Sequence, residues 1–446
     1  MNESWAVGRA RAAGIVGAGG ASFPTHVKLQ SRAEIYIANG AECEPLLHAG
    51  QEIMARDAGA VVRGLAYAMR ATGASRGIIA LKRKYGAAAR AVRAAVEAAA
   101  GPSLEVLLLD DFYPAGDEHV LVYEATGRRV PAGGIPVEAG VVVNNVETLL
   151  NLAAAIETEA PVTRKWVTVC GAVRRPVTAR FAVGTPFATA IELAGGPSVT
   201  RFTVLDGGPL MGKVVSDLSI PITKSTGGIV VLPDDNDWVC RLKAPLEFSL
   251  KRARSHCIQC MYCTEMCPRY LLGHSFRPGR VMTQASYGFE DPETLGMSML
   301  CSECGLCEAY ACPVGLAPRR INAMYKGRFL GQGVKPGRRM LPSADPAREY
   351  RKAPAARLKS RLGLDAYDRT PEFIEAEVVP PQVTLPLKQH VGVPAESRVK
   401  AGDRVTRGDV LADVPDGLLG APVHASISGK VVGVSPEAVT IRGDGR

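Results

Sequence analysis

The chain has 446 residues, 47% of them hydrophobic, and a formal net charge of +9. At roughly 100–200 residues per domain, several domains are expected. Aromatic residues are only 6% of the chain and no stretch interleaves them with basic ones, which excludes a base-stacking nucleic-acid groove. No run reaches the ~18 uninterrupted apolar residues of a membrane span.

The opening "MNESWAVGRARAAG" has no apolar signal core, so the expectation is a cytoplasmic protein. It reads as a helix, and the glycine-rich "GIVGAGGASFPTHVKL" (14–29) follows it. Gly14, Gly17, Gly19 and Gly20 would let a phosphate approach the backbone, with Lys28 as counter-charge. The string fails the dinucleotide fingerprint: Ser22 stands at the third glycine, and a helix rather than a strand precedes it. An ordinary turn is the alternative.

Residues 34–38 (EIYIA), 76–82 (RGIIALK) and 104–109 (LEVLLL) read as strands, and 51–72 and 86–100 as helices with apolar residues at helical spacing. A β-α-β-α-β order favours a parallel sheet covered by helices. "NGAECEP" (39–45) follows the first strand, at the carboxyl edge where such sheets place ligands. "DDFYPAGDEHVLVYEATGR" (110–128) follows the third, and "VVVNNVETL" (141–149) sets two amides and a carboxylate directly after another strand. Several of the residues in these turns have a plainer reading. Phe23 could be packing, Glu42 or Glu44 could cap a helix near residue 49, and Asn144 and Asn145 could satisfy their own turn.

Residues 161–235 are short β-rich runs between Gly/Pro turns. Residues 331–378 are irregular and basic, and read as a wrapping linker whose charges face solvent. The tail is β-rich again, with turns at Gly402-Asp403 and Gly408-Asp409. No exposed-tip lysine in "GLLGAPVHASISG" (417–429) suits a covalent carrier, Lys430 comes after it, and His390 and His424 read as isolated packing or surface residues.

Between these β-rich stretches lie two cysteine runs, Cys257-x2-Cys260-x2-Cys263-x3-Cys267-Pro268 and Cys301-x2-Cys304-x2-Cys307-x4-Cys312-Pro313. Cytosolic thiols stay reduced, so such cysteines point to metal or redox work rather than disulfides. Short spacing lets one loop wrap three corners of an iron–sulfur cubane, and the cysteine before proline ligates the other cluster. One [4Fe–4S] cluster is therefore assigned to Cys257, Cys260, Cys263 and Cys312, the other to Cys267, Cys301, Cys304 and Cys307. The alternative is a pair of zinc knuckles, although zinc sites usually pair two C-x2-C units. Cys43, Cys170 and Cys240 read as buried, inert thiols.

Residues 17–28, 39–45, 113–118 and Asn144-Asn145-Val146-Glu147-Thr148 together resemble the flavin- and NADH-binding subunits of respiratory NADH dehydrogenase and of RnfC. "CEAYACPVGLAPRRIN" (307–322) and the C-terminal "LPLKQHVGVPAESRVKAGDRVTRGDVLADV" (385–414) are most similar to the PduS-type cobalamin reductases within that family. The resemblance implies a multidomain α/β chain. Its parts would be a Rossmann-like FMN/NADH domain with a parallel sheet (1–155), a soluble-ligand-binding β-grasp (SLBB) domain (160–236) and a helical dicluster ferredoxin-like module (240–330). A basic linker (331–378) and an all-β barrel-sandwich hybrid domain (379–446) would complete it.

It further implies FMN, NADH and two [4Fe–4S] clusters, with electrons passing from NADH to FMN to the clusters to an external acceptor. Gly17, Gly19, Gly20 and Lys28 would approach the flavin phosphate or nucleotide, and Phe23 would line the nicotinamide–flavin stack. Asn39, Glu42 and Glu44 would bond the flavin or nicotinamide ribose, Gly116 and Glu118 would border the isoalloxazine, and Asn144, Asn145 and Thr148 would hold the ribityl-phosphate end. Ala18 and Ala41 replace an arginine and an acid of the dehydrogenase subunit. The implied partners are cobalamin or an adenosyltransferase and microcompartment shell proteins, the implied place the cytoplasm or a microcompartment lumen. Two alternatives stay open: an RnfC-like subunit serving ferredoxin or quinones, and a non-catalytic electron-transfer adaptor.

Overall fold

A computed structural model describes residues 3–99, 101 and 103–444. Strands β1 (Ile35–Gly40), β2 (Arg76–Lys82), β3 (Ser103–Leu109) and β4 (Val141–Asn145) form an all-parallel sheet in the order β3-β2-β1-β4. Successive residues point to opposite faces, and in β1, β2 and β4 both faces are buried. Tyr36, Ala38, Ile79, Leu81 and Val142 enter one core. Ile35, Ile37, Ile78, Ala80, Val141 and Val143 enter the other, against Val120, Leu121 and Val122.

The opening segment forms α1 (Glu3–Ala12). The helix expected over 51–72 is two helices, α2 (Ala49–Arg56) and α3 (Ala58–Thr72), because Asp57 leaves helical geometry at φ −118° and ψ 27°. Next come α4 (Gly86–Ala98), α5 (Glu118–Thr126) and α6 (Val146–Thr158). The expected helix end at residue 100, and the domain limits at 1 and 446, lie outside the described residues. Gly64 lets α3 and α6 approach closely, since a Cβ there would lie 2.0 Å from the Leu149 carbonyl oxygen.

The second unit is a mixed sheet of β5 (Arg164–Gly171), β6 (Val177–Ala182), β7 (Phe202–Asp206), β8 (Lys213–Val215), β9 (Gly228–Pro233) and β10 (Glu372–Val378), ordered β10-β6-β5-β9-β7-β8. Strand β10 comes from the expected linker. That segment also carries a helix (Ala355–Arg361) and a strand (Ala353–Pro354) paired with Phe112–Tyr113. Several of its charges are not left to solvent as expected, although Lys335, Arg339 and Arg357 are exposed. Arg348 and Lys352 bind Glu124, Arg338 binds Glu138, and Arg351 binds Glu265. The reason is location: the segment runs back across the parallel-sheet domain and the cysteine-rich module and meets their acids.

Helices α7 (Leu246–His256), α8 (Pro278–Tyr287) and α9 (Pro318–Gly331) frame the cysteine loops around a core containing Ala253, Val281, Met282 and Ile321. The C-terminal unit is two small sheets closed on a shared core of Val383, Leu411, Val423, Val431 and Ile441. Its expected turns hold, with Asp403 and Asp409 each accepting from the backbone amide three residues earlier at 2.7 Å.

Candidate functional site

The glycine loop, the β1 and β4 ends and the segment before α5 meet at the carboxyl edge of the parallel sheet. Asn39 and Asn145 are register partners there. Asn39 Nδ2 donates to the Gly116 carbonyl at 2.9 Å while its Oδ1 accepts from the Ala41 amide at 3.1 Å. Lys28 Nζ donates to Glu118 Oε1 at 3.0 Å and to the Val143 carbonyl at 2.9 Å. Thr148 Oγ1 accepts from the Ala18 amide at 3.0 Å. Asn145 accepts from the Glu147 amide as the N-cap of α6, and its Nδ2 would lie 3.2 Å from a Cβ on Gly19.

These contacts separate two kinds of residue. Thr148 and Asn145 hold the loop, whereas Gly19 and Gly20 are exposed and Gly20, at φ +101°, has open space where a side chain would stand. A bare glycine turn leaves room for an anionic group. Gly116 is needed for another reason: a Cβ there would lie 2.4 Å from the Ala41 carbonyl oxygen. The open glycine turn leaves room for a phosphate-bearing cofactor such as FMN. Gly17 and Phe23 close the loop through Gly17 N–H to Phe23 O at 2.9 Å, and the Phe23 side chain is half-buried.

Three expected residues are occupied elsewhere. Asn144 is buried and donates to the Tyr36 hydroxyl at 2.7 Å. Glu42 accepts from the Glu44 amide at 2.9 Å. Both oxygens of Glu44 accept from the Leu210 and Met211 amides at 2.9 Å, so this carboxylate ties the loop to the second unit. Neither acid caps α2, which has no side-chain cap. Burial pushes Glu44 up to about 7 despite those two amides. Burial, reinforced by the Glu42 charge, also raises the Cys43 thiol, which makes it a poor nucleophile. Cys170 is buried as expected. Cys240 is not: it is exposed, with its Sγ 3.4 Å from the Asp234 carbonyl.

The eight remaining cysteines lie between α7 and α9. Cys257, Cys260, Cys263 and Cys312 line one cavity of about 470 Å³. Burial, with Cys312, Cys257 and Cys260 as charged neighbours, pushes the Cys263 thiol up to about 12. A Cβ on Gly279 would come within 2.8 Å of Cys263 Sγ, so glycine makes room for that thiol. Cys267 lies in the field of Cys304 and Cys301, and Cys307 in that of Cys301, Cys304 and Cys267. Cys257, Cys260 and Cys263 are half-exposed, whereas the Cys267 set is buried.

The buried set is docked against the flavin-type edge. The Tyr113 hydroxyl donates to the Cys304 carbonyl, and Arg269 makes a two-pronged ion pair with Asp117 at 2.6 and 3.0 Å. Sequence reasoning missed Asp117 and Arg269, and also Lys165. Lys165 sits in β5, 2% exposed, and donates to the Ala18 carbonyl at 3.1 Å and to Glu147. The signal available for it was a cation inside the otherwise apolar run "KWVTVC".

The comparisons with known proteins match this architecture unit by unit. Family models match for a Nuo51 FMN-binding domain over residues 10–154, an SLBB domain over 166–214, a 4Fe-4S dicluster domain over 256–317 and an RnfC barrel sandwich hybrid domain over 368–444. The last takes in β10, which was expected to lie in the linker. The cobalamin reductase PduS of Salmonella typhimurium is 44% identical over 97% of this chain and 95% of its own, and that of Citrobacter freundii is 43% identical over the same shares. The chain belongs to the PduS family. One component of the Na(+)-translocating ferredoxin:NAD(+) oxidoreductase complex of Acetobacterium woodii is 38% identical over 58% of this chain and 56% of its own. A chain of an H2-reduced NAD+-reducing [NiFe]-hydrogenase crystal structure shares the fold at TM-score 0.50 and 22% identity, covering 75% of this chain and 64% of that one. With an FMN-binding domain and a 4Fe-4S dicluster domain in one polypeptide, this PduS-family member is an iron–sulfur flavoprotein of the oxidoreductase class. No helix among its described residues is long and apolar enough to cross a membrane.

Proposed function

We propose that the chain oxidises NADH and passes electrons through FMN and two [4Fe–4S] clusters to cobalamin, supporting adenosylcobalamin-dependent metabolism in a bacterial microcompartment. Bound FMN supplies the conversion between two-electron and one-electron chemistry. The chain's residues supply positions. Gly17, Gly19, Gly20 and Lys28 receive the phosphate. Asn39, Gly116 and Glu118 border the ring and ribose, with Phe23 on the nicotinamide side. Asn145 and Thr148 hold the loop in register, while Glu42, Glu44 and the buried Asn144 act as braces. No general acid or base is needed.

The observation that carries the order of flow is the burial gradient. The Cys267 set is buried beside Tyr113 and Asp117, whereas in the other set Cys312 is buried but Cys257, Cys260 and Cys263 are half-exposed, with Ile258 and Phe289 exposed nearby at the rim. An acceptor arriving from solvent meets the second set first. Cobalamin, or an adenosyltransferase carrying it, is the partner in this reading, with shell proteins as neighbours. The test is anaerobic stopped-flow. NADH is expected to bleach the flavin, and cob(III)alamin or cob(II)alamin to reoxidise it. Absence of bleaching overturns NADH oxidation. Reoxidation by ferredoxin but not by cobalamin moves the acceptor to that of the ion-translocating relatives.

A further inference from the structure

Arg269 follows Cys267-Pro268, and the short helix Pro268–Leu271 that this proline opens turns the guanidinium toward Asp117. The side chains are 11% and 12% exposed. The pair lies within the field of the buried thiols: Arg269 is a charged neighbour of Cys267 and Cys304, and Asp117 of Cys304. On the other side, Asp117 sits between Gly116 and Glu118 at the flavin-type edge. An iron–sulfur cluster gains one negative charge on reduction, so its potential follows the nearby charge, most strongly where water is excluded.

We infer that the Asp117–Arg269 pair sets the reduction potential of the cluster held by Cys267, Cys301, Cys304 and Cys307, the two charges opposing each other. This rests on the cluster assignment above. Arg269 favours the reduced cluster and Asp117 disfavours it; paired, they leave the cluster near balance and available to exchange electrons in either direction. Each is a positioning residue for charge rather than a ligand. Asp117 Oδ1 also accepts from the His119 and Val120 amides at 3.0 and 3.2 Å to cap α5. An asparagine oxygen can keep that cap while the charge is removed.

The test is a dithionite titration of the full-length, anaerobically reconstituted protein, followed by electron paramagnetic resonance. A Cys260→Ser background leaves the buried cluster as the reporter. Asp117→Asn is expected to raise its midpoint and Arg269→Gln to lower it. Each shift should match about a tenfold change in the reduction equilibrium, about 59 mV for a one-electron couple. Arg269→Lys should restore the parent value. A purely structural clamp would move both variants in the same direction. Shifts of one sign, or no shift in Asp117→Asn, overturn the inference. If Arg269→Gln loses iron, the Asp117→Asn result decides alone. Loss of the reporter cluster in the Cys260→Ser parent, with both charges intact, would instead refute the cluster assignment.

Discussion

Lys165→Met tests how the second unit holds the flavin-type loop. The Lys165 ammonium donates to Glu147 and to the Ala18 carbonyl, and the other Glu147 oxygen accepts from the Trp166 amide at 3.0 Å. Both side chains are almost fully buried, at 2% and 4% exposure. Methionine fills the space but leaves the carboxylate with one N–H donor in a low-dielectric site. Breaking a buried pair in this way costs about 3–5 kcal/mol. Adding Glu147→Gln removes the stranded charge and keeps an acceptor for the Trp166 amide, so the double variant is expected to regain at least about 1 kcal/mol of that loss. The assay is anaerobic urea unfolding followed by flavin release. The single variant should release flavin at markedly lower urea, and the double variant at an intermediate concentration. A single variant matching the parent, or a double variant weaker than the single, refutes the reasoning.

Cys260→Ser should lower iron content, abolish reduction of the acceptor and leave NADH bleaching of the flavin intact; loss of bleaching in folded, flavin-bound protein would reverse the proposed order of flow. Gly116→Ala forces a methyl group against the Ala41 carbonyl, an overpacking of about 1–3 kcal/mol, and should reduce bound flavin measured by absorbance while the iron content stays unchanged. Glu44 is raised from 4.5 to about 7 mainly by burial. The folded chain therefore binds a proton that the unfolded chain releases, and stability falls as pH rises from about 4.5 to 7. Glu44→Gln should flatten the unfolding midpoint across that window; an unchanged slope would count against it.

What could be read along the chain was whatever spacing along the chain controls. The two cysteine runs imply their exchanged fourth ligands because a C-x2-C-x2-C loop can reach only three corners and the cysteine before proline points away, and Cys312 does line the Cys257 cavity. The sheet and the polar turns at its carboxyl edge were legible from period and position, since a strand buried on both faces must be apolar and its ligand-facing end need not be. The expected linker at 331–378 was misread because composition reports charge but not what the charge meets: Glu124 and Glu138 lie in a distant domain.

The roles of individual buried charges were decided by folding in three dimensions. Glu44 finds Leu210 166 residues away, Asp117 finds Arg269 152 away, and Lys165 finds Ala18 147 away. No motif can encode such pairings, because they arise from how separate units dock, and a charge is tolerated in a dry interface only beside a partner that docking brings to it. Local spacing thus points to the iron–sulfur clusters, family resemblance to the flavin, and domain packing settles which residues brace the flavin-type loop.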